Sequence, residues 1–82
     1  MKSKFKAPVW IQERELNFRA ISSAEEAFAY LKAWRGARAA IYDHALRTME
    51  GAMLGEIDTK QARDVFWKFA ALEGVLAETD SA

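Results

Sequence analysis

The one side chain in this chain that ordinarily titrates near neutral pH is His44. Its neighbours Tyr42 and Asp43 point in other directions if the segment is helical. No serine nucleophile stands at a recognisable spacing from it, and the chain has no cysteine. His44 therefore reads as a core or rim histidine satisfied by one hydrogen bond. Glu25 and Glu26 look like a carboxylate pair, but their place in "SSAEEA" is explained by helix capping. Asp58 and Asp64 fall on a second cap and a solvated helix face. No separated acid–base pair of the kind catalysis needs is present. Gly51 and Gly55 in "GAMLG" lack the lysine and the serine or threonine of a phosphate loop. Their spacing suits either close helix approach or plain helix termination. The expectation is a non-enzymatic protein with no catalytic, metal or cofactor site.

Binding chemistry is better represented. Lys32, Arg35, Arg38 and Arg47 form a basic stretch interleaved with the acidic Glu25, Glu26, Asp43 and Glu50. A solvated mixed-charge face is the simpler reading, although Arg35 and Arg38 sit close enough along the chain to meet one anionic partner. Of the three tryptophans, Trp34 ends an apolar helical stripe and reads as core. Trp67 lies beside an inner helix face, and Trp10 falls on the outward row of a strand. Tryptophan is over-represented at binding hot spots. The candidate partner-binding residues are Lys4, Lys6, Trp10, Arg19, Arg35, Arg38 and Trp67.

Composition narrows the partners. Lys plus Arg number 12 and Asp plus Glu number 12, so the formal net charge is zero. A general nucleic-acid binder draws its affinity from excess cations, so nucleic acid is an unlikely partner. The charge is unevenly placed: Lys2, Lys4, Lys6, Arg14 and Arg19 dominate residues 1–22, and acidic side chains dominate residues 56–82. A nucleic-acid-associated regulator using Lys2, Lys4, Lys6, Arg19 and the helix-one arginines is the alternative to protein binding; salt-dependent retention on DNA or RNA separates the two. No apolar run approaches the roughly 18 residues of a membrane span, and no apolar segment of a secretion signal follows the N-terminal lysines. The expected setting is cytoplasmic, without membrane contact.

The elements that must hold these residues follow from hydrophobic period. Eighty-two residues make one domain, with frayed ends expected at about 1–3 and 78–82. Phe5, Ala7, Val9 and Ile11 alternate with Lys4, Lys6, Pro8, Trp10 and Gln12, and Leu16, Phe18 and Ala20 alternate with Asn17 and Arg19. Period two reads as two half-buried strands. Regular pairing sets Ile11 opposite Leu16, Val9 opposite Phe18 and Ala7 opposite Ala20, with Asn17 and Arg19 outward; a bulge would shift these pairs. Pro8 cannot donate to a ladder, so its strand should have a free edge there. Ser22 with Glu25, or Ser23 with Glu26, opens a helix ending near a left-handed Gly36. A second helix runs from about Ala37 to Leu54, its apolar stripe including His44, and Gly55 follows it. Asp58 with Gln61 opens a third helix to about Leu76, weakened by Gly74. The architecture is α+β: an N-terminal antiparallel β-hairpin packed on three α-helices, ββααα in two layers.

The order of features is similar to that of a known family. A "PV" strand, a strand ending in "ISSAEEA", then "AYLKAW" and a glycine, an alanine-rich helix ending in glycine, and "QARDVFWKFAALEGV" together resemble the family catalogued as domain of unknown function 982. Ala27, Leu31 and Trp34, and Gly55 followed by Ala62, Arg63, Phe66 and Ala70, carry the resemblance, which covers nearly the whole chain. Arg35 stands where such proteins commonly have proline, which leaves open whether helices one and two are separate or one kinked helix. The resemblance implies a small α+β fold in an alphaproteobacterial cytoplasm and no activity. The reading is a small protein-interaction or regulatory module that binds another protein or itself. Its first candidate surface is the ribbon edge with Trp10, its second is helix three with Trp67.

Overall fold

The computed structural model describes residues 3–36 and 38–77. Met1 and Lys2, Ala37 and the tail 78–82, on which the expected frayed ends, the Lys2 of the nucleic-acid alternative and the start of helix two fall, lie outside the described residues. The expected ββααα order holds: β1 is Lys4–Arg14, β2 is Asn17–Ser23, α1 is Ala24–Lys32, α2 is Ala40–Met53 and α3 is Thr59–Leu72. Helix α1 packs on β2 and α3 on β1, and α2 packs on these two helices rather than on the hairpin. None of the helices is long and apolar enough to cross a membrane, among the described residues.

The register is the main correction. Val9 faces Ile21, Trp10 faces Ala20, Ile11 faces Arg19 and Gln12 faces Phe18, with irregularities between Lys4 and Val9 and between Gln12 and Arg14. The second irregularity places one extra residue, Glu13, in β1 next to the turn at Glu15 and Leu16. A bulge of this kind sets two residues against one. An odd offset sends every β2 side chain to the other face. Ile21 and Ser23 are consequently buried, whereas Leu16 and Phe18, expected inward, are exposed. Arg19, expected outward, is carried to the helix side. The β1 alternation holds at Phe5, Val9 and Ile11, all buried, but Ala7 is exposed within the first irregularity.

The helix boundaries follow their caps. Ser23 is the N-cap of α1 and its hydroxyl accepts from the Glu26 N–H at 3.2 Å. The Glu26 carboxylate accepts from the Ser22 N–H at 2.6 Å, and Ser3, expected at a loose end, is buried and donates its hydroxyl to Glu25. Helix α1 stops at Lys32, so α1 and α2 are separate helices joined by an irregular connector. Gly36 is not left-handed. A Cβ there would lie 2.6 Å from Cζ2 of the Trp34 indole, so glycine makes room for the ring where it stands. The Tyr42 hydroxyl donates to the Leu31 carbonyl at 2.7 Å and ties α2 to the end of α1. Gly51 and Gly55 divide the two roles open to them. A Cβ on Gly51 would meet the Ile57 side chain at 2.5 Å, and Gly55 is left-handed at φ +80° after α2. Asp58 precedes α3 without a side-chain capping bond, so the Asp58–Gln61 box does not form.

Helix α3 ends four residues earlier than its apolar pattern implies. Gly74 adopts φ +76° and turns the chain out of the helix rather than weakening its last turn. Residues 75–77 then run back along β1, with an antiparallel bridge between Leu76 and Ile11. The core gathers Phe5, Val9, Ile11, Ile21, Leu31, Tyr42, Met49, Phe66 and Phe69, with Phe66 and Phe69 stacked at 6.2 Å. Trp34, expected in the core, is half-buried against it, edge-on to Phe69 at 5.1 Å. His44 is exposed rather than in a core or rim position, and the Thr48 hydroxyl donates to its backbone carbonyl at 2.7 Å.

Candidate functional site

The two edges of the hairpin are unlike each other. Along β1 the Gln12 N–H donates to the Val75 carbonyl at 2.8 Å, and the Trp10 carbonyl accepts from the Ala77 N–H at 2.9 Å. In the bulged stretch, Arg63 donates to the carbonyls of Ala7 at 2.6 Å and Pro8 at 3.2 Å. The free edge expected beside Pro8 is thus closed by the chain's own tail and by α3. Trp10 and Gln12 direct their backbone groups at the tail, so Val9 and Ile11 direct theirs at β2. Their partners Ile21 and Arg19 point back, and alternation turns the backbone groups of Phe18, Ala20 and Ser22 away from β1. The Ser22 N–H is held by Glu26. For Phe18 and Ala20 no outward backbone partner exists among the described residues. The open edge belongs to β2.

The side chains beside this edge are apolar. Trp10, 42% exposed, is on the wet face as its position in the alternation requires, and it shares that face with Ala20 and with Phe18, 52% exposed. Leu16 in the turn is 86% exposed. Phe18 escaped sequence reasoning because regular pairing assigns it to the core, and no residue type marks the bulge at Glu13.

The other predicted residues are dispersed. Lys4 and Lys6 are exposed, and Lys6 borders a hollow of about 470 Å³ together with Asp58, Lys60, Arg63 and Asp64. Arg19 pairs with Glu13 at 3.2 Å and lies over the Tyr30 ring at 5.9 Å. A second, open hollow of about 570 Å³ brings Arg19 and Arg35 together beside Glu13, Tyr30 and Trp34. Arg38 is turned to Tyr42, 5.1 Å from its ring, and donates to the Trp34 carbonyl, so Arg35 and Arg38 serve different surroundings. Trp67 is half-exposed on α3, apart from these groups.

Among the described residues, two ionisable groups are displaced from their ordinary ranges. The Ser3 hydroxyl lowers the Glu25 carboxyl, against a smaller opposing effect of burial. Burial, aided by the nearby Glu13 charge, raises the Tyr30 phenol. Both shifts have structural causes: Glu25 belongs to the first turn of α1, and Tyr30 packs edge-on against Phe66. Among the described residues no three His, Asp or Glu side chains gather as a metal-binding group.

The chain matches, over residues 7–77, a family described as protein of unknown function (DUF982). Its fold is similar to the NMR structure of the Agrobacterium tumefaciens protein Atu1219, with a TM-score of 0.79 at 24% identity, over 99% of this chain and 82% of that one. No curated protein matches it.

Proposed function

This chain belongs to the DUF982 family, and from its surface we propose that it is a non-enzymatic binding module that takes up another polypeptide as an added strand along β2. The difference between the two hairpin edges carries this reading. Added strands gain main-chain hydrogen bonds from an open edge and selectivity from side chains on alternate positions. Proteins ordinarily blunt exposed edges. Here β1 is covered by residues 75–77 and by Arg63, while Phe18 and Ala20 keep unpartnered backbone groups among the described residues. Phe18 and Trp10 flank that edge as aromatic anchors. The non-enzymatic part of the reading is supported by what the carboxylates do: Glu25 and Glu26 hold Ser3, Ser22 and the start of α1.

A photo-crosslinking amino acid placed at Phe18, with Leu72 as an exposed control on α3, tests the reading in cells. Polypeptide adducts from position 18 and not from 72 are expected. Absence of adducts from positions 16, 18 and 20 alike overturns it.

A further inference from the structure

The open hollow on the helix side of the hairpin, near its turn, is a site of a different kind from the β2 edge. We infer that it binds a small aromatic carboxylate, with Arg35 on the carboxylate and the Tyr30 and Trp34 rings against the planar body. Strand addition along β2 is not needed for this.

Charge selects the carboxylate. Among the described residues, the charged side chains lining the hollow are Arg19, Arg35 and Glu13. Glu13 is committed to Arg19 at 3.2 Å. Arg35 has no ion pair and no hydrogen bond among the described residues. The lining therefore holds one guanidinium in excess. A guanidinium presents its donors as a planar fork that matches a carboxylate. Apolar walls strengthen that attraction relative to open water. One excess positive charge is balanced by one carboxylate. A doubly charged phosphate monoester would leave a negative charge facing Glu13.

The walls select the aromatic body. Tyr30 stands edge-on to Phe66 at 5.8 Å, and Trp34 edge-on to Phe69 at 5.1 Å. Both rings are thus anchored on the core, and the backbone at Gly36 lies close against the indole. Walls fixed in this way need little ordering when a ligand arrives. The two ring centroids are 6.0 Å apart at 45°, too close to sandwich a third ring. The ligand ring lies across both, in the offset or edge-on contact that aromatic pairs prefer. Ala29 and Ala33 of α1 and Val75 of the tail complete the lining with small or apolar side chains. The volume, about 570 Å³, is in the range of small-molecule sites. The hollow beside Lys6 has neither feature, since it has no ring and sets Asp58 and Asp64 among its cations.

Titration of the isotope-labelled chain with phenylacetate, followed by NMR, tests the inference. Phenylacetamide serves as the uncharged isostere and inorganic phosphate as the charge without a ring. Saturable shifts from phenylacetate are expected at residues 12–13, 19, 29–35 and 75. The amide should bind about tenfold more weakly, because it lacks the charge-assisted pair. Arg35→Gln should weaken phenylacetate by about the same factor; Arg35 is exposed, so the amide spectrum of the fold should persist. Arg47→Gln, the same charge change on α2 outside the hollow, should leave binding unchanged. Ala29→Phe should abolish it by filling the hollow without altering charge. Parental affinity in Arg35→Gln, or equal affinity for the amide, overturns the carboxylate assignment. Phosphate binding as tight as phenylacetate overturns the aromatic one. An absence of saturable shifts at these residues, or parental binding by Ala29→Phe, overturns the site itself. Crosslinking at position 18 is unaffected by any of these results, so the two readings fail separately.

Discussion

The Ala77 N–H donates to the Trp10 carbonyl at 2.9 Å, and this bond closes one side of the hairpin with the chain's own C-terminal segment. Together with the Gln12–Val75 bond it makes residues 75–77 a short strand beside β1. Trp10 presents its ring to solvent while its backbone is committed within the molecule. The side of the hairpin left open is β2, and its exposed aromatic is Phe18.

Removal of residues 75–82 should therefore open a second edge. The shortened chain loses the partners of Gln12 and Trp10 and exposes β1 as a pairing template. Aggregation that rises steeply with concentration is expected, seen by light scattering, where the parent stays dispersed. A shortened chain that remains as well dispersed as the parent contradicts the protective role of the tail.

Arg63 bridges α3 to the bulged stretch of β1 through the Ala7 and Pro8 carbonyls. Hydrogen bonds from a charged donor contribute about 1.5–3 kcal/mol when well formed, and partial exposure places Arg63 toward the lower end. Arg63→Ala should lower the unfolding free energy by about 1–2 kcal/mol in urea titration. Arg63→Lys should recover only part of this, because an ammonium lacks the forked donors that reach two carbonyls.

Two glycine substitutions should fail in different ways. Gly36→Ala sets a Cβ against the Trp34 ring, which is itself packed on Phe69. Overpacking of this kind costs about 1–3 kcal/mol, and the near-ultraviolet dichroism of the indole should change with it. Gly55→Ala meets no atom within 4 Å but must hold φ +80°. Its cost is backbone strain of about 1–2 kcal/mol, with the aromatic spectrum unchanged. Identical spectra for the two variants would contradict the distinction.

The Ser3–Glu25 bond predicts an acid dependence of known sign. The folded state holds the Glu25 carboxyl below its ordinary value of 4.5. Its contribution is therefore present in full above the unfolded value and is lost as pH falls through the folded one. Ser3→Ala removes the largest cause of the shift. Chemical denaturation of parent and variant should show a stability difference at neutral pH that shrinks below pH about 4.5. A difference independent of pH would assign the effect to the packing of Ser3. Tyr30 has the opposite sense: its raised phenol contributes stability below the ordinary tyrosine range and loses it as pH rises through the folded value.

Much of this protein was determined by local chemistry that can be read along the chain. Alternation in residues 5–11 put Val9 and Ile11 inside and Trp10 outside, because successive strand side chains take opposite faces. Two overlapping capping boxes, Ser22 with Glu25 and Ser23 with Glu26, marked the start of α1 to within one residue, and Gly55 marked the end of α2, because helix ends need particular partners and particular φ values. The tertiary structure decided the rest. A strand pattern that stops at Ala20 pairs Phe18 inward; continuing β2 through Ile21 and Ser23 allows Ile21 to be buried instead, on condition that Glu13 bulges. That choice moved Arg19 to Tyr30, exposed Phe18 and defined the open edge. Gly36 and Gly74 departed from their expected roles for the same reason: the first makes room for the Trp34 ring instead of turning the chain, and the second turns the chain instead of sitting in the last turn of α3. Whether a glycine turns the chain or makes room for a ring depends on what stands next to it in space. Period and capping are properties of neighbours along the backbone, whereas register, bulges and the docking of residues 75–77 are settled by which distant surfaces bury each other best.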